Sequence, residues 1–204
     1  MDDPLAQFLS QIARDLSDAH ARFAMVGGLA ISARVQPRFT GDIDLAVAVD
    51  SDEQAESIAG HLIRCGYRPI LEIDHTPSNR LATLRFYPPD LPPSLEPDEV
   101  PLTDIIFCTC GIESEIVASA QTIPIYPDLS LPTARIAHLI AMKLLSECDA
   151  RLQDRIDLQN LFAAATEADL SEVLPLLDLI TQRGFSREKD LHATFNHFRD
   201  TNHS

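Results

Sequence analysis

The chain has 204 residues, 45% hydrophobic and 23% charged, enough for one ordinary domain with its own core and unlike disordered, collagen-like or mucin-like chains. Sixteen Lys and Arg against 31 Asp and Glu leave a net charge of -15, which disfavours broad binding to phosphate backbones. No apolar run approaches the roughly 20 residues that span a bilayer, the start MDDPLAQFLS carries acids where a secretory signal carries positive charge, and Cys65, Cys108, Cys110 and Cys148 lack disulfide density and zinc spacing. A cytoplasmic protein with reduced thiols and no membrane partner is expected.

In chain order, Leu5, Phe8, Leu9, Ile12, Leu16 and Ala19 recur at threes and fours, which predicts a helix from about Pro4 to Arg22. Phe23 to Val26 then reads as a strand that ends at Gly27-Gly28, followed by a short helix, LAISARV, and a turn, QPRFTG. Ile43 to Val49 is a second strand, and Ser51 with Gln54 forms a capping box for a helix that Gly66 terminates. Further strands are expected at Tyr67 to Ile73, Leu81 to Tyr87 and Leu102 to Cys108. Between the last two lies PPDLPPSLEPDEVP (88–101), whose six prolines make it a stiff loop, read as a hairpin connection in preference to a lid. From Pro132 onward, placed in a first helical turn, the pattern becomes helical, with segments at Leu152 to Ala165, Asp169 to Ile180, bent or split at Pro175, and Arg187 to Phe198. The expectation is an α+β fold: a mixed sheet packed with helices over residues 1–130, then a small all-helical region over 131–204.

The residues that carry chemistry lie mostly between Phe23 and Val49. In a strand Asp42 and Asp44 share a face, opposite Ile43, Leu45 and Val47, and Ala46 and Ala48 beyond them would leave room for a bound molecule. Two adjacent carboxylates repel unless neutralised, and hard divalent cations prefer their oxygens. Gly27-Gly28, between a strand and a helix, lets backbone approach a phosphate and offers free N–H groups. Asp104 stands alone in the apolar strand LTDIIFC, where an unpartnered carboxylate is costly. If that strand lies beside Ile43 to Val49, three carboxylates converge, enough for two Mg²⁺ ions in phosphoryl or nucleotidyl transfer. Asp104 is also the candidate base. Lys143, one of only two lysines, sits near the apolar stripe of its helix, either to meet a triphosphate as a point charge or to snorkel along the helix edge to water. Arg151, Asp154 and Asp157 fall on one helix face, either as part of a site or as a surface ladder. The seven histidines show no ligand spacing, and Cys108 and Cys110 read as packing residues.

These motifs resemble the polymerase-beta-type nucleotidyltransferase superfamily: a glycine pair, an acid-x-acid strand and a third acid on a neighbouring strand. VGGLAISARVQPRFTGDIDL is similar to the AbiEii-type abortive-infection toxins, with Gly27, Gly28, Ala30, Arg38, Thr40, Asp42, Asp44 and Leu45 at the motif positions. Lys143, Arg151, Asp154 and Asp157 match the family's downstream pattern, although Gln153 stands where the family commonly has Lys. The resemblance implies NTP and Mg²⁺ use, nucleotide contacts from Gly27, Gly28, Arg38, Thr40 and Lys143, an acceptor that is tRNA, a protein or a small molecule, and an antitoxin partner. The expected function is Mg²⁺-dependent transfer of an NMP to an acceptor hydroxyl. The alternative is an inactive nucleotide-binding or protein-interaction module of the same fold.

Overall fold

A computed structural model describes residues 3–37, 40–75, 80–89, 100–148 and 152–202, with the side chains of 71–75 and 80 outside that description. The elements, in order, are α1 (Pro4–Asp18), β1 (Arg22–Val26), α2 (Gly27–Arg34), β2 (Ile43–Ala48), α3 (Asp52–Arg64), β3 (Arg68–His75), β4 (Arg80–Tyr87), β5 (Thr103–Ile106), α4 (Glu113–Ser119), β6 (Gln121–Tyr126), β7 (Leu129–Thr133), α5 (Ile136–Ser146), α6 (Leu152–Ala164), α7 (Glu167–Gln182) and α8 (Leu191–Asn202). The expected α+β architecture is present.

Seven strands form one mixed sheet in the order β3-β4-β5-β2-β1-β7-β6. Its centre positions the site. β2 runs antiparallel to β1 and parallel to β5, and the β2–β5 register sets Asp44 directly opposite Asp104. The side chains of Ile43, Leu45, Val47 and Ile105 are fully buried in the core. Burying that apolar face holds the register, because a slip of one residue would turn both aspartates inward.

Several sequence expectations need correction. Ala46 and Ala48 are 0% and 1% exposed, so these small residues are covered by the packed core and leave no room for a ligand. Pro132 is not in a helix: it lies in β7, opposite Thr122 of β6, and the helices resume only at Ile136. α7 continues unbroken through Pro175, since burial of Leu170, Val173, Leu176, Leu177 and Ile180 outweighs a proline penalty of about 3 kcal/mol. Arg187 and Glu188 do not begin a helix, because both take left-handed backbone, with φ of 53° and 61°. The capping residue Ser51 accepts from the Gln54 N–H as expected, while the Gln54 side chain accepts from Asp50 instead of closing the box. Residues 90–99, most of the proline-rich loop, lie outside the described residues.

Candidate active site

A cleft of about 490 Å³ opens where β1 ends and α2 begins, lined among others by Gly27, Gly28, Thr40, Asp42, Asp44, Lys143, Gln153, Asp154 and Arg187. The glycine bend and Asp44 form one unit. Gly27 has φ +63°, and a Cβ there would overlap the Asp44 carboxylate. The Gly28 N–H donates to that same carboxylate. The bend therefore makes space for Asp44 and holds it, a role the sequence had suggested for phosphate.

Asp44 is the electrostatically loaded member of the site. Burial, then the negative charges of Asp104 and Asp42, push its carboxyl up to about 6, against a partial offset from Lys143 and the Gly28 N–H. Asp42, just before β2, is exposed. Asp104 is already neutralised by Arg85 of β4: Nε and Nη2 donate to its two carboxylate oxygens, each at 2.6 Å. Asp104 holds the Arg85 guanidinium firmly in its charged form. Among the described residues, no three His, Cys, Asp or Glu side chains are gathered to hold a metal ion, although Asp104 lies directly across from Asp44 in the β2–β5 register and its charge raises the proton affinity of Asp44.

On the opposite wall, Lys143 of α5 donates to Asp154 at 2.5 Å and sits 2.9 Å from Asp157, both carried by α6. Gln153 donates to the other oxygen of Asp157 at 3.0 Å. Asp157 is fully buried and Asp154 is 7% exposed, so the pair belongs to a buried ionic cluster and not to a surface ladder. Sequence spacing placed the three residues on neighbouring helices. It gave no sign that the two acids would enclose the lysine.

Arg38 and Arg151 lie outside the described residues. Arg34 is structural: it donates to the carbonyls of Ala134 and Thr133 and to Gln121, tying α2 to β7 and β6. His138 is buried, hydrogen-bonded to Ser119 and pushed down to about 4, chiefly by burial and then by Arg135, so it stays neutral. Cys110 packs against Glu113, whose carboxylate accepts the N–H groups of Thr109 and Cys110. Arg187 lines the cleft unforeseen. Its position depends on left-handed backbone and distant anchors, for which sequence periodicity offers no signal.

The donor set suits a hard divalent cation in part. Asp42 and Asp44 line the cleft with carboxylates, and burial, then the neighbouring charges of Asp104 and Asp42, raises the proton affinity of Asp44. Each Asp104 oxygen accepts one bond from Arg85 and keeps a second lone pair.

No curated protein matches the sequence. Among solved structures, the chain is similar to the antibiotic-resistance factor ANT(2'')-Ia, at 16% identity and a TM-score of 0.56, with 98% of this chain and 100% of that one covered. That likeness shows the fold. It is also similar to the lincosamide antibiotic adenylyltransferase LnuA (13% identity, 78% and 97% covered, TM-score 0.47) and to JHP933 from Helicobacter pylori (13%, 98% and 89%, 0.47). The model of the nucleotidyl transferase AbiEii toxin family, type IV toxin–antitoxin system, matches residues 7–202, and this chain belongs to that family.

Proposed function

We propose that the protein is a Mg²⁺-dependent nucleotidyltransferase that moves an NMP from an NTP to an acceptor hydroxyl on a tRNA, a protein or a small molecule, as the toxin of a toxin–antitoxin pair. The observation that carries this reading is the register of Asp44 against Asp104 beside the Gly27-Gly28 bend, with Asp42 on the same cleft. The AbiEii family match supports it.

Asp42 and Asp44 would hold Mg²⁺, with Asp104 completing the set and serving as base for the acceptor hydroxyl. When bound, the metal would offset triphosphate charge and lower the pKa of a coordinated hydroxyl. Asp44 is held by the Gly28 N–H and by the space at Gly27, which would fix its carboxylate where a cation could meet it. Gly27 and Thr40 line the same cleft and would contact the nucleotide. Lys143 would offset charge next to Asp44 while holding α6 in place through Asp154 and Asp157. Residues 1–130 form the catalytic core in this reading, and 131–204 supply its helical wall. Four free cysteines support work in the reducing cytoplasm. Among the described residues no helix is long and apolar enough to cross a membrane.

One observation favours a second reading, a nucleotide-binding module without transfer: both Asp104 oxygens are already engaged by Arg85. Incubation with α-labelled NTPs, Mg²⁺ and cell extract separates the two. A labelled product made by the wild type and lost in Asp42→Ala and Asp44→Ala is the expected result. Equal labelling by those variants refutes the assignment, and NTP binding without labelling of any acceptor favours the module.

A further inference from the structure

We propose that Arg187, on the segment between α7 and α8, is the residue that grips the nucleotide's polyphosphate, a role that rests on the cleft being a nucleotide site. The described cations lining the cleft are Lys143 and Arg187. Lys143 is enclosed by two carboxylates at 2.5 and 2.9 Å, and the neighbouring Arg85 is forked onto Asp104. Both positive charges are matched within the protein. Arg187 is exposed, and its one described hydrogen bond runs from Nη2 to the Thr109 carbonyl at 3.3 Å. Most of its five N–H donors are therefore available, in the planar fork that matches phosphate oxygens.

The backbone around Arg187 is built to aim it. Arg187 and Glu188 are consecutive non-glycine residues with φ of 53° and 61°, a conformation retained only where surrounding contacts impose it, and one that clusters at ligand sites. Those contacts come from both sides. Upstream, Phe185 is buried against Gly111, where a Cβ would overlap its ring, and Arg183 donates to the Gly111 carbonyl and pairs with Glu115 at 2.7 Å. Downstream, Lys189 donates to the carbonyls of Leu145, at 2.8 Å, and Glu147 at the end of α5. The segment is thereby pinned to two walls of the cleft, the loop after β5 and the helix that carries Lys143. Five aspartates, 42, 44, 104, 154 and 157, surround or approach the cleft. A polyphosphate entering this acidic space needs a protein cation that no acid already holds, and among the described residues lining the cleft Arg187 meets that condition.

The test uses the full chain with Mg²⁺, calorimetric titration of the four NTPs, and then the tri-, di- and monophosphate and the nucleoside of the base that binds best. Arg187→Ala should weaken tri- and diphosphate binding tenfold or more and leave the nucleoside within twofold, with Arg187→Lys recovering part of the loss. The ligand-free melting temperature of Arg187→Ala should stay within about 2 °C of wild type, since the side chain's contact is a single long hydrogen bond. Unchanged triphosphate affinity in Arg187→Ala overturns the proposal, as does an equal loss for phosphorylated and unphosphorylated ligands, which marks a structural role. Unaltered NTP binding with lost transfer moves Arg187 to the acceptor side and overturns it too. If the wild type binds none of the four NTPs, the nucleotide reading itself fails, and this assignment with it.

Discussion

Asp44→Asn should make the metal-free protein more stable. In the fold the Asp44 carboxyl titrates at about 6 against 3.8 for a free aspartate, through burial first and then the charges of Asp104 and Asp42. The folded state thus binds its proton more tightly than the unfolded chain does. Below pH 3.8 both states are protonated and no penalty exists. As pH rises towards 6 the unfolded chain ionises first and stability falls, and above 6 the full penalty of about 3 kcal/mol applies. Asparagine carries no charge at any of these pH values and keeps an oxygen to accept the Gly28 N–H. In EDTA at pH 8 the variant should gain about 3 kcal/mol, or roughly 6–12 °C in Tm for a chain of this size, with under about 1 kcal/mol of that gain left at pH 4. Adding Mg²⁺ should raise the Tm of the wild type and leave the variant unmoved. Scanning calorimetry at pH 4, 6 and 8 decides the matter: destabilisation at pH 8, or a gain equal at pH 4 and 8, would refute the claim that Asp44 is held against its own charge.

Three other perturbations probe the same cleft. Gly27→Ala places a Cβ onto the Asp44 carboxylate at a positive φ; it should cost at least 1–2 kcal/mol and abolish the Mg²⁺-induced rise in Tm, and a variant with normal Mg²⁺ response would show that Asp44 needs no such space. Lys143→Met leaves Asp154 and Asp157 without their shared cation and should cost about 3–5 kcal/mol, read by urea unfolding, with Lys143→Met/Asp157→Asn recovering part of it; a loss below about 1 kcal/mol would mean the cluster does not hold α5 to α6. Arg85→Gln releases Asp104 from its fork and should tighten Mn²⁺ binding several-fold, measured as free Mn²⁺ by electron paramagnetic resonance. Unchanged affinity would count against Asp104 as a metal ligand.

How much of this was legible in the sequence depends on whether the controlling contacts were local. The period of two in GDIDLAVAV fixed which residues share a face, and a lone acid in LTDIIFC marked Asp104 as needing a partner. That the partner would be Arg85 was hidden, because the β4–β5 pairing that sets Arg85 against Asp104 joins residues 19 apart. The β6–β7 hairpin was missed for a different reason. Pro124 and Pro132 argue against strands, yet β6 is an edge strand and β7 meets β1 only at Met25 opposite Thr133, so neither proline removes a central ladder bond. Arg187 was read as a helix start, because the anchors at Gly111, Leu145 and Glu147 that twist its backbone lie 40 to 80 residues away in sequence.

The arrangement of charge gives a reason for the order in which a metal and a nucleotide would be accepted. Lys143 is matched by Asp154 and Asp157, and Arg85 by Asp104. Among the described residues of the cleft, two mismatches remain: the acidic pair Asp42 and Asp44, of which the fold resists the ionisation of Asp44, and a cation, Arg187, that lines the same cleft. A bare polyanion would meet Asp42 and Asp44 and be repelled, while a bare divalent cation would relieve them. In the proposed reading, a nucleotide arriving with its own cation would satisfy both mismatches at once, the metal against the two aspartates and the phosphates against the guanidinium. Affinity for NTP should therefore collapse in EDTA more steeply in the wild type than in Asp44→Asn, where the repulsive charge is gone. Equal sensitivity to EDTA in the two proteins would mean that the metal acts through some group other than Asp44.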